Sequence, residues 1–139
     1  MAEGRMNVAH VTSRAGPRNY QVDIRAGHHA LSADEPLALG GADAGPAPFQ
    51  LLLSALAACT TITLQMFAQH KGWPLGGVDV DLRFFKDGDA TQIDRTLVLH
   101  GELTPEQRAR LADVAEKTPV TLALKGGVAI ATTLRGDTT

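Results

Sequence analysis

The sequence holds a single cysteine, Cys59, among its 139 residues, so the chain cannot form an internal disulfide bond. Its stability therefore does not depend on an oxidising compartment. The N-terminal stretch MAEGRMNVAH also lacks the apolar core of a secretory signal peptide. Together these two absences predict a cytoplasmic protein.

The sequence also has no large excess of positive or negative charge. The formal net charge is -2, from 13 Lys and Arg against 15 Asp and Glu, and the basic residues form no dense cluster. This balance predicts binding to neither nucleic acid nor an anionic membrane surface. The 5 histidines lack zinc-ligand spacing, and Gly40, Gly41 and Gly45 lack the Lys-Ser/Thr pair of a phosphate loop. We therefore expect no metal and no cofactor.

The longest continuous pattern is an apolar run over residues 45–72, GPAPFQLLLSALAACTTITLQMFAQHKG. Pro46 and Pro48 suit the first turn of a helix, and Gly72 suits its C-terminal cap. Around residues 51–58 apolar side chains point in every direction, so no face is left for water. The run predicts a long central helix, buried on most sides by a sheet or by a second protein chain. Threonines and glutamines in its second half argue against a membrane span, so we expect no membrane partner.

Period-2 alternation predicts strands on both sides of this helix. Residues 7–12, 20–25 and 28–34 are predicted to be the strands of an N-terminal antiparallel meander, and its first turn is predicted over residues 14–18. After the helix, residues 78–85 and 93–99 are predicted to form a β-hairpin whose polar residues face water.

Two threonines, each followed by proline, mark short C-terminal helices. Thr104 and Gln107 fit a capping box, which predicts a helix to about Lys117. Thr118 begins a second one over residues 119–124, and residues 128–132 predict a final strand. This order of elements is α+β, and the length fits one domain over residues 1–139.

Cys59 is the first candidate for chemistry. A cysteine reacts as the thiolate, and its ordinary pKa of about 8.5 must be lowered by a cation, a helix N-terminus or a metal. The middle of a helix offers no dipole, so an active Cys59 needs a guanidinium from elsewhere. Alternatively, a free cysteine among Ala and Leu is a small buried hydrophobe. From spacing alone, the buried hydrophobe is the favoured interpretation.

Four segments resemble the osmotically inducible protein and organic hydroperoxide resistance family, OsmC/Ohr. They are ADEPLALGG, GPAPFQLLLSALAACT, KGWPLGGVDVDLR and AEKTPVTLALKGGVAI, which together span nearly the whole chain. The resemblance implies an intertwined α+β homodimer with the long helices buried at its centre and two sites at the dimer interface.

The resemblance also implies roles for single residues. Cys59 stands at the position of the peroxidatic cysteine, which attacks the distal oxygen of an organic hydroperoxide and becomes a sulfenic acid. Arg18, with Arg14 as the alternate, is the nearest match to the activating arginine. Thr118 replaces the family's resolving cysteine and would serve only as a helix cap. The family's acidic residue near the start of the helix maps to Phe49 or Gln50, and both are uncharged.

Two functions follow from these matches and departures. The first is the reduction of organic hydroperoxides by the single peroxidatic Cys59, regenerated by an external thiol reductant. The alternative is an OsmC-fold protein without peroxidase activity that binds a small hydrophobic ligand.

Overall fold

A computed structural model describes residues 4–136. The chain divides into two compact units, one that ends at Ser54 and one that begins at Ala55. The long helix α1, Pro48–Lys71, starts in the first unit and continues through the second. Antiparallel strands and helices confirm the predicted α+β class. The single domain expected from the length stays a prediction.

The N-terminal unit contains the predicted antiparallel meander. Its strands are β1, Val11–Ala15, β2, Val22–Ala26, and β3, His29–Ala33, in the order β1-β2-β3. The prediction of the first strand over residues 7–12 is wrong by several positions, because Ala15 pairs with Val22 and the ladder extends to that end. Arg14 therefore lies in β1 opposite Asp23, and not in the turn.

A buried carboxylate organises the loop that leads from the meander to α1. Asp34 accepts backbone N–H groups from Glu35 at 2.7 Å, Tyr20 at 3.0 Å, and both Ala42 and Ala44 at 3.1 Å. Burial raises the pKa of Asp34, but these hydrogen bonds, led by that from Ala44, bring the pKa below its ordinary value. The ionised side chain thus fixes the glycine-rich loop in one conformation.

The second unit contains the predicted hairpin and two short helices. Strand β4, Gly77–Asp87, pairs with β5, Ala90–His100, around a turn in which Gly88 has a φ of 62°. Helix α2, Pro105–Ala115, begins with the predicted capping box, and α3, Pro119–Gly126, begins at Thr118 as its cap. A small core joins α1, α2 and the hairpin. Its fully buried members are Leu64, Ala68, Leu111 and Ala115.

The predicted final strand is absent from the described chain. Residues 127–136 form no strand, and Ile130 and Leu134 are 88% and 96% exposed. A strand exists only where a neighbouring strand supplies hydrogen-bond partners, and within residues 4–136 no strand pairs with this segment. An apolar, alternating sequence is therefore left without cover in the single chain.

Helix α1 has the predicted ends but only part of the predicted burial. It begins at Pro48 and ends before Gly72, which has a left-handed φ of 73°. Its buried residues form one stripe at four-residue spacing, Leu56, Thr60, Leu64 and Ala68. Within the described chain α1 is long and apolar enough to cross a membrane, but the core helix of a soluble protein passes the same test. Cover by a second chain, like the absence of a membrane, stays a prediction.

Candidate active site around Cys59

Cys59 lies on α1, half-buried, against the start of α3. The backbone N–H of Val120 donates to its Sγ, with 3.5 Å between nitrogen and sulfur. The Oγ1 of Thr63, one turn further along α1, lies 3.9 Å from the same sulfur. Because Val120 is in the first turn of α3, its N–H is one that the helix itself cannot satisfy. The sulfur therefore occupies the positive end of a helix other than its own.

Opposing effects act on the pKa of the Cys59 thiol. Burial raises it, whereas hydrogen bonds from the Val120 N–H and from the hydroxyls of Thr118 and Thr63 lower it, together with the positive charge of Arg95. The lowering effects prevail, so the pKa lies below its ordinary value. A lowered pKa increases the fraction of thiolate, the form in which cysteine is a nucleophile.

Arg95 on β5 is the charged member of this neighbourhood, and its side chain is only 11% exposed. Its Nη1 donates to Thr60 Oγ1 at 2.9 Å and to Thr121 Oγ1 at 3.0 Å. Its Nη2 donates to the carbonyl of Ala115 at 2.8 Å and to Glu116 Oε2 at 3.4 Å. The four N–H bonds of its two terminal nitrogens thus have four acceptors, which fixes the guanidinium in place.

Glu116 links the buried arginine to the surface. Its other oxygen, Oε1, accepts from Lys125 Nζ at 2.6 Å. The hydrogen bond from Lys125 lowers the pKa of Glu116, and the charges of Lys125 and Arg95 add to that effect. Glu116 is therefore ionised at neutral pH and is shared between one exposed and one buried cation.

Thr118 does more than the resemblance predicts for it. Its side chain caps α3 by accepting the N–H of Thr121 at 3.3 Å, as expected. It is also fully buried and lies 2.7 Å from Thr121 Oγ1. The predicted helix cap is confirmed, and the hydroxyl of Thr118 also helps to lower the pKa of the Cys59 thiol.

The predicted arginines lie in the N-terminal unit. Arg14 is on β1 and lines a surface concavity of the meander, and Arg18 is in the turn that follows, where its carbonyl accepts the N–H of Gln21. Their roles toward Cys59 stay predictions. Gln50 Oε1 accepts the backbone N–H of Ala47 at 2.8 Å, so it helps to begin α1. Phe49 is exposed.

Sequence patterns alone did not find Arg95. The alternation in β5 predicts that its polar residues face water, yet Arg95 shares the inward face with Ile93, Leu97 and Leu99. That position was the available signal, because an arginine on the apolar face of a strand must find buried acceptors. Among the described residues no cluster of three or more His, Cys, Asp and Glu side chains is arranged to hold a metal.

The arrangement is suited to nucleophilic thiol chemistry. It presents one polarised sulfur, an amide N–H directed at that sulfur, and a buried positive charge nearby. The N–H and the positive charge stabilise the thiolate. They also stabilise the negative charge that moves to the leaving group when the thiolate attacks a polarised bond.

Several solved structures share this fold. An OsmC-like protein from Mycoplasma pneumoniae has a TM-score of 0.74 at 16% identity, over 86% of this chain and 89% of that chain. An organic hydroperoxide resistance protein OsmC from Legionella pneumophila has a TM-score of 0.62 at 20% identity, over 87% and 91% of the chains. An organic hydroperoxide resistance protein from Elizabethkingia anophelis has a TM-score of 0.63 at 20% identity, over 87% and 90%. At these identities the likeness shows the fold.

Comparison with curated proteins finds no match. The family model described as OsmC-like protein, in contrast, matches residues 40–133, which include α1, the hairpin, α2 and α3. The chain therefore belongs to the OsmC-like protein family.

Proposed function

We propose that the protein reduces organic hydroperoxides with Cys59 as its only redox-active cysteine. The thiolate attacks the distal oxygen of the hydroperoxide, the S–O bond forms as the O–O bond breaks, and the alkoxide takes a proton to leave as an alcohol. Cys59 is oxidised to a sulfenic acid, and the peroxide is reduced by two electrons. The observation that carries the proposal is the contact of the Cys59 sulfur with the Val120 N–H, beside a buried arginine.

The second half-reaction uses a thiol from outside the chain, because the chain holds no second cysteine. An external thiol attacks the sulfenic sulfur, water leaves, and a mixed disulfide forms. A second external thiol then releases Cys59 and carries away the disulfide. With Thr118 at the position of the resolving cysteine, no intramolecular disulfide competes with this route. The resemblance assigns peroxide activation to Arg18, with Arg14 as the alternate.

The active form is a homodimer in the cytoplasm. Ile62 and Met66, on the same side of α1 as Cys59, are 54% and 64% exposed in the single chain. Neighbouring apolar side chains that are exposed in the single chain indicate a surface that a partner covers. A second copy that covers this face excludes water from the sulfur and provides apolar walls for the organic part of the peroxide.

A second candidate function is favoured by the same apolar face. Without a resolving cysteine, a pocket that forms when a second copy covers Ile62 and Met66 suits the binding of a small hydrophobic ligand. In this alternative, Cys59 is a polar contact for the ligand and is not oxidised and regenerated in a catalytic cycle.

The deciding assay follows the consumption of cumene hydroperoxide with a dithiol reductant, in wild type and in Cys59→Ser. The peroxidase function predicts that wild type consumes the peroxide catalytically and that Cys59→Ser runs at the background rate. Equal rates in the two proteins would remove the peroxidase function and leave ligand binding. Arg18→Ala and Arg14→Ala, measured beside them, identify the arginine whose loss slows the reaction.

A further inference from the structure

Asp34 is a buried carboxylate that no step of the proposed reaction uses. The residue is only 2% exposed. Its Oδ1 accepts the N–H groups of Tyr20 and Glu35, and its Oδ2 accepts those of Ala42 and Ala44. A buried carboxylate is retained where such donors compensate for the loss of water. The two oxygens therefore connect different segments of the N-terminal unit through one side chain.

The Oδ1 side of this carboxylate binds the turn that contains Arg18. The Gly16 N–H donates to the carbonyl of Gln21, and the Gln21 N–H donates to the carbonyl of Arg18, both at 2.8 Å. These two hydrogen bonds close the turn on itself. The Tyr20 N–H, which donates to Asp34 at 3.0 Å, connects the turn to a segment distant in the chain.

The Oδ2 side binds the loop that leads into α1. The backbone N–H of Asp34 also donates to the carbonyl of Pro46 at 3.1 Å, two residues before α1 begins. The loop passes so close that a Cβ at Gly41 would overlap the carbonyl of Glu35 and lie 2.8 Å from Asp34 Oδ1. Asp34 thus connects the turn to the start of the helix that carries Cys59.

We propose that Asp34 is a positioning residue for Arg18, which keeps the turn that carries this arginine in a fixed position relative to the start of α1. This inference rests on the proposed function, in which Arg18 activates the peroxide for attack by Cys59. Arg18 is exposed, so the position of its backbone depends on the hydrogen bonds of the turn around it. An activating group must be held in place, since a misplacement of about 1 Å can cost about 100-fold in rate.

Asp34→Asn separates the two connections with almost no change in side-chain volume. Asparagine has one acceptor oxygen, and its NH2 group would face N–H donors at the other position, so one pair of hydrogen bonds is lost. Whichever pair is lost, the turn and the loop no longer share an acceptor. Asp43→Asn is the matched control, because Asp43 is exposed in the same loop and asparagine tolerates its φ of 55°.

The first measurement is amide hydrogen exchange at Tyr20 and Ala44, followed by NMR in the full-length protein. Because asparagine can satisfy only one pair of donors, at least one of these amides should exchange about tenfold faster in Asp34→Asn. Both should exchange at the wild-type rate in Asp43→Asn. If neither amide exchanges faster in Asp34→Asn, the proposal is overturned.

The second measurement is kcat/KM for cumene hydroperoxide with a dithiol reductant, in wild type, Asp34→Asn, Arg18→Ala and the double variant. Asp34→Asn is expected to lower kcat/KM about tenfold, and Asp43→Asn should leave it unchanged. In the Arg18→Ala background, Asp34→Asn should lower it by less than about twofold, because no side chain is left to position. A merely structural role would give the same loss in both backgrounds, and that result would contradict the proposal.

Gly41→Ala carries the test if Asp34→Asn does not fold by circular dichroism. Its Cβ moves the loop away from the carboxylate and leaves the charge in place, so both measurements should change in the same direction. Failure of the proposed function is a separate result. A wild type inert to cumene hydroperoxide would remove the peroxidase function, whereas the exchange rates at Tyr20 and Ala44 would still show whether Asp34 holds the turn.

Discussion

Replacing Thr118 by valine removes one buried hydroxyl while nearly preserving the shape of the side chain. The hydroxyl caps α3 at Thr121 N, and losing such a cap costs about 1 kcal/mol. The Thr121 N–H, left without its acceptor in a buried position, costs about 1–3 kcal/mol. Because both figures describe the same N–H group, they are not added, and we expect a loss of about 2 kcal/mol. At about 3–4 °C per kcal/mol for a chain of this size, the melting temperature falls by about 6–8 °C.

The assay compares wild type, Thr118→Val and Thr118→Ser by urea unfolding and by the pH profile of Cys59 alkylation. Serine keeps the hydroxyl and should stay close to wild type in both measurements. Valine should lose stability and should also raise the pKa of Cys59, because it removes a hydrogen bond that lowers that pKa. A valine variant within about 0.5 kcal/mol of wild type, the usual range of a neutral surface change, would refute this role of the hydroxyl.

Two further predictions concern the resolving position and the acid sensitivity of the N-terminal unit. Thr118→Cys should give an intramolecular disulfide with Cys59 after one equivalent of hydroperoxide, since the resemblance puts the resolving cysteine at this position and the N–H of Val120, two residues further on, contacts the sulfur; continued accumulation of a dimedone-reactive sulfenic acid would contradict this. Asp34→Asn should lower the melting temperature at neutral pH. Because the folded pKa of Asp34 is lowered, its stabilisation is complete above the ordinary value of about 3.9 and is lost as pH falls through the folded pKa. The difference in melting temperature between wild type and Asp34→Asn should therefore shrink in acid, and a difference independent of pH would contradict the assignment.

Helix ends are predictable from this sequence because their signals are local. Pro48 and Gly72 bound α1 as the first-turn and cap preferences require, and Thr104 with Gln107 forms the expected capping box. Each of these signals lies within a few residues of the element it begins or ends. The resemblance predicts that Cys59 is the peroxidatic cysteine. The match of the family model to residues 40–133 confirms the family itself.

The less predictable features depend on partners distant in the chain. The first strand is shifted because its register is set by pairing with β2, and residues 128–132 form no strand because strand formation needs a neighbour. Arg95 is on the apolar face of an alternating strand, and the acceptors that hold its guanidinium there lie on α1, α2 and α3, far away in the sequence. The N–H directed at Cys59 likewise comes from α3, which sequence spacing alone does not bring near the sulfur.

The central claim, that Cys59 alone performs the reduction, is tested most directly by a single-turnover experiment without reductant. Reduced protein is mixed with one equivalent of cumene hydroperoxide, trapped with dimedone and analysed by mass spectrometry. We predict one dimedone adduct per chain at Cys59, with an equivalent amount of cumyl alcohol released and no adduct in Cys59→Ser. Peroxide that remains unreduced while Cys59 stays a free thiol would contradict the account.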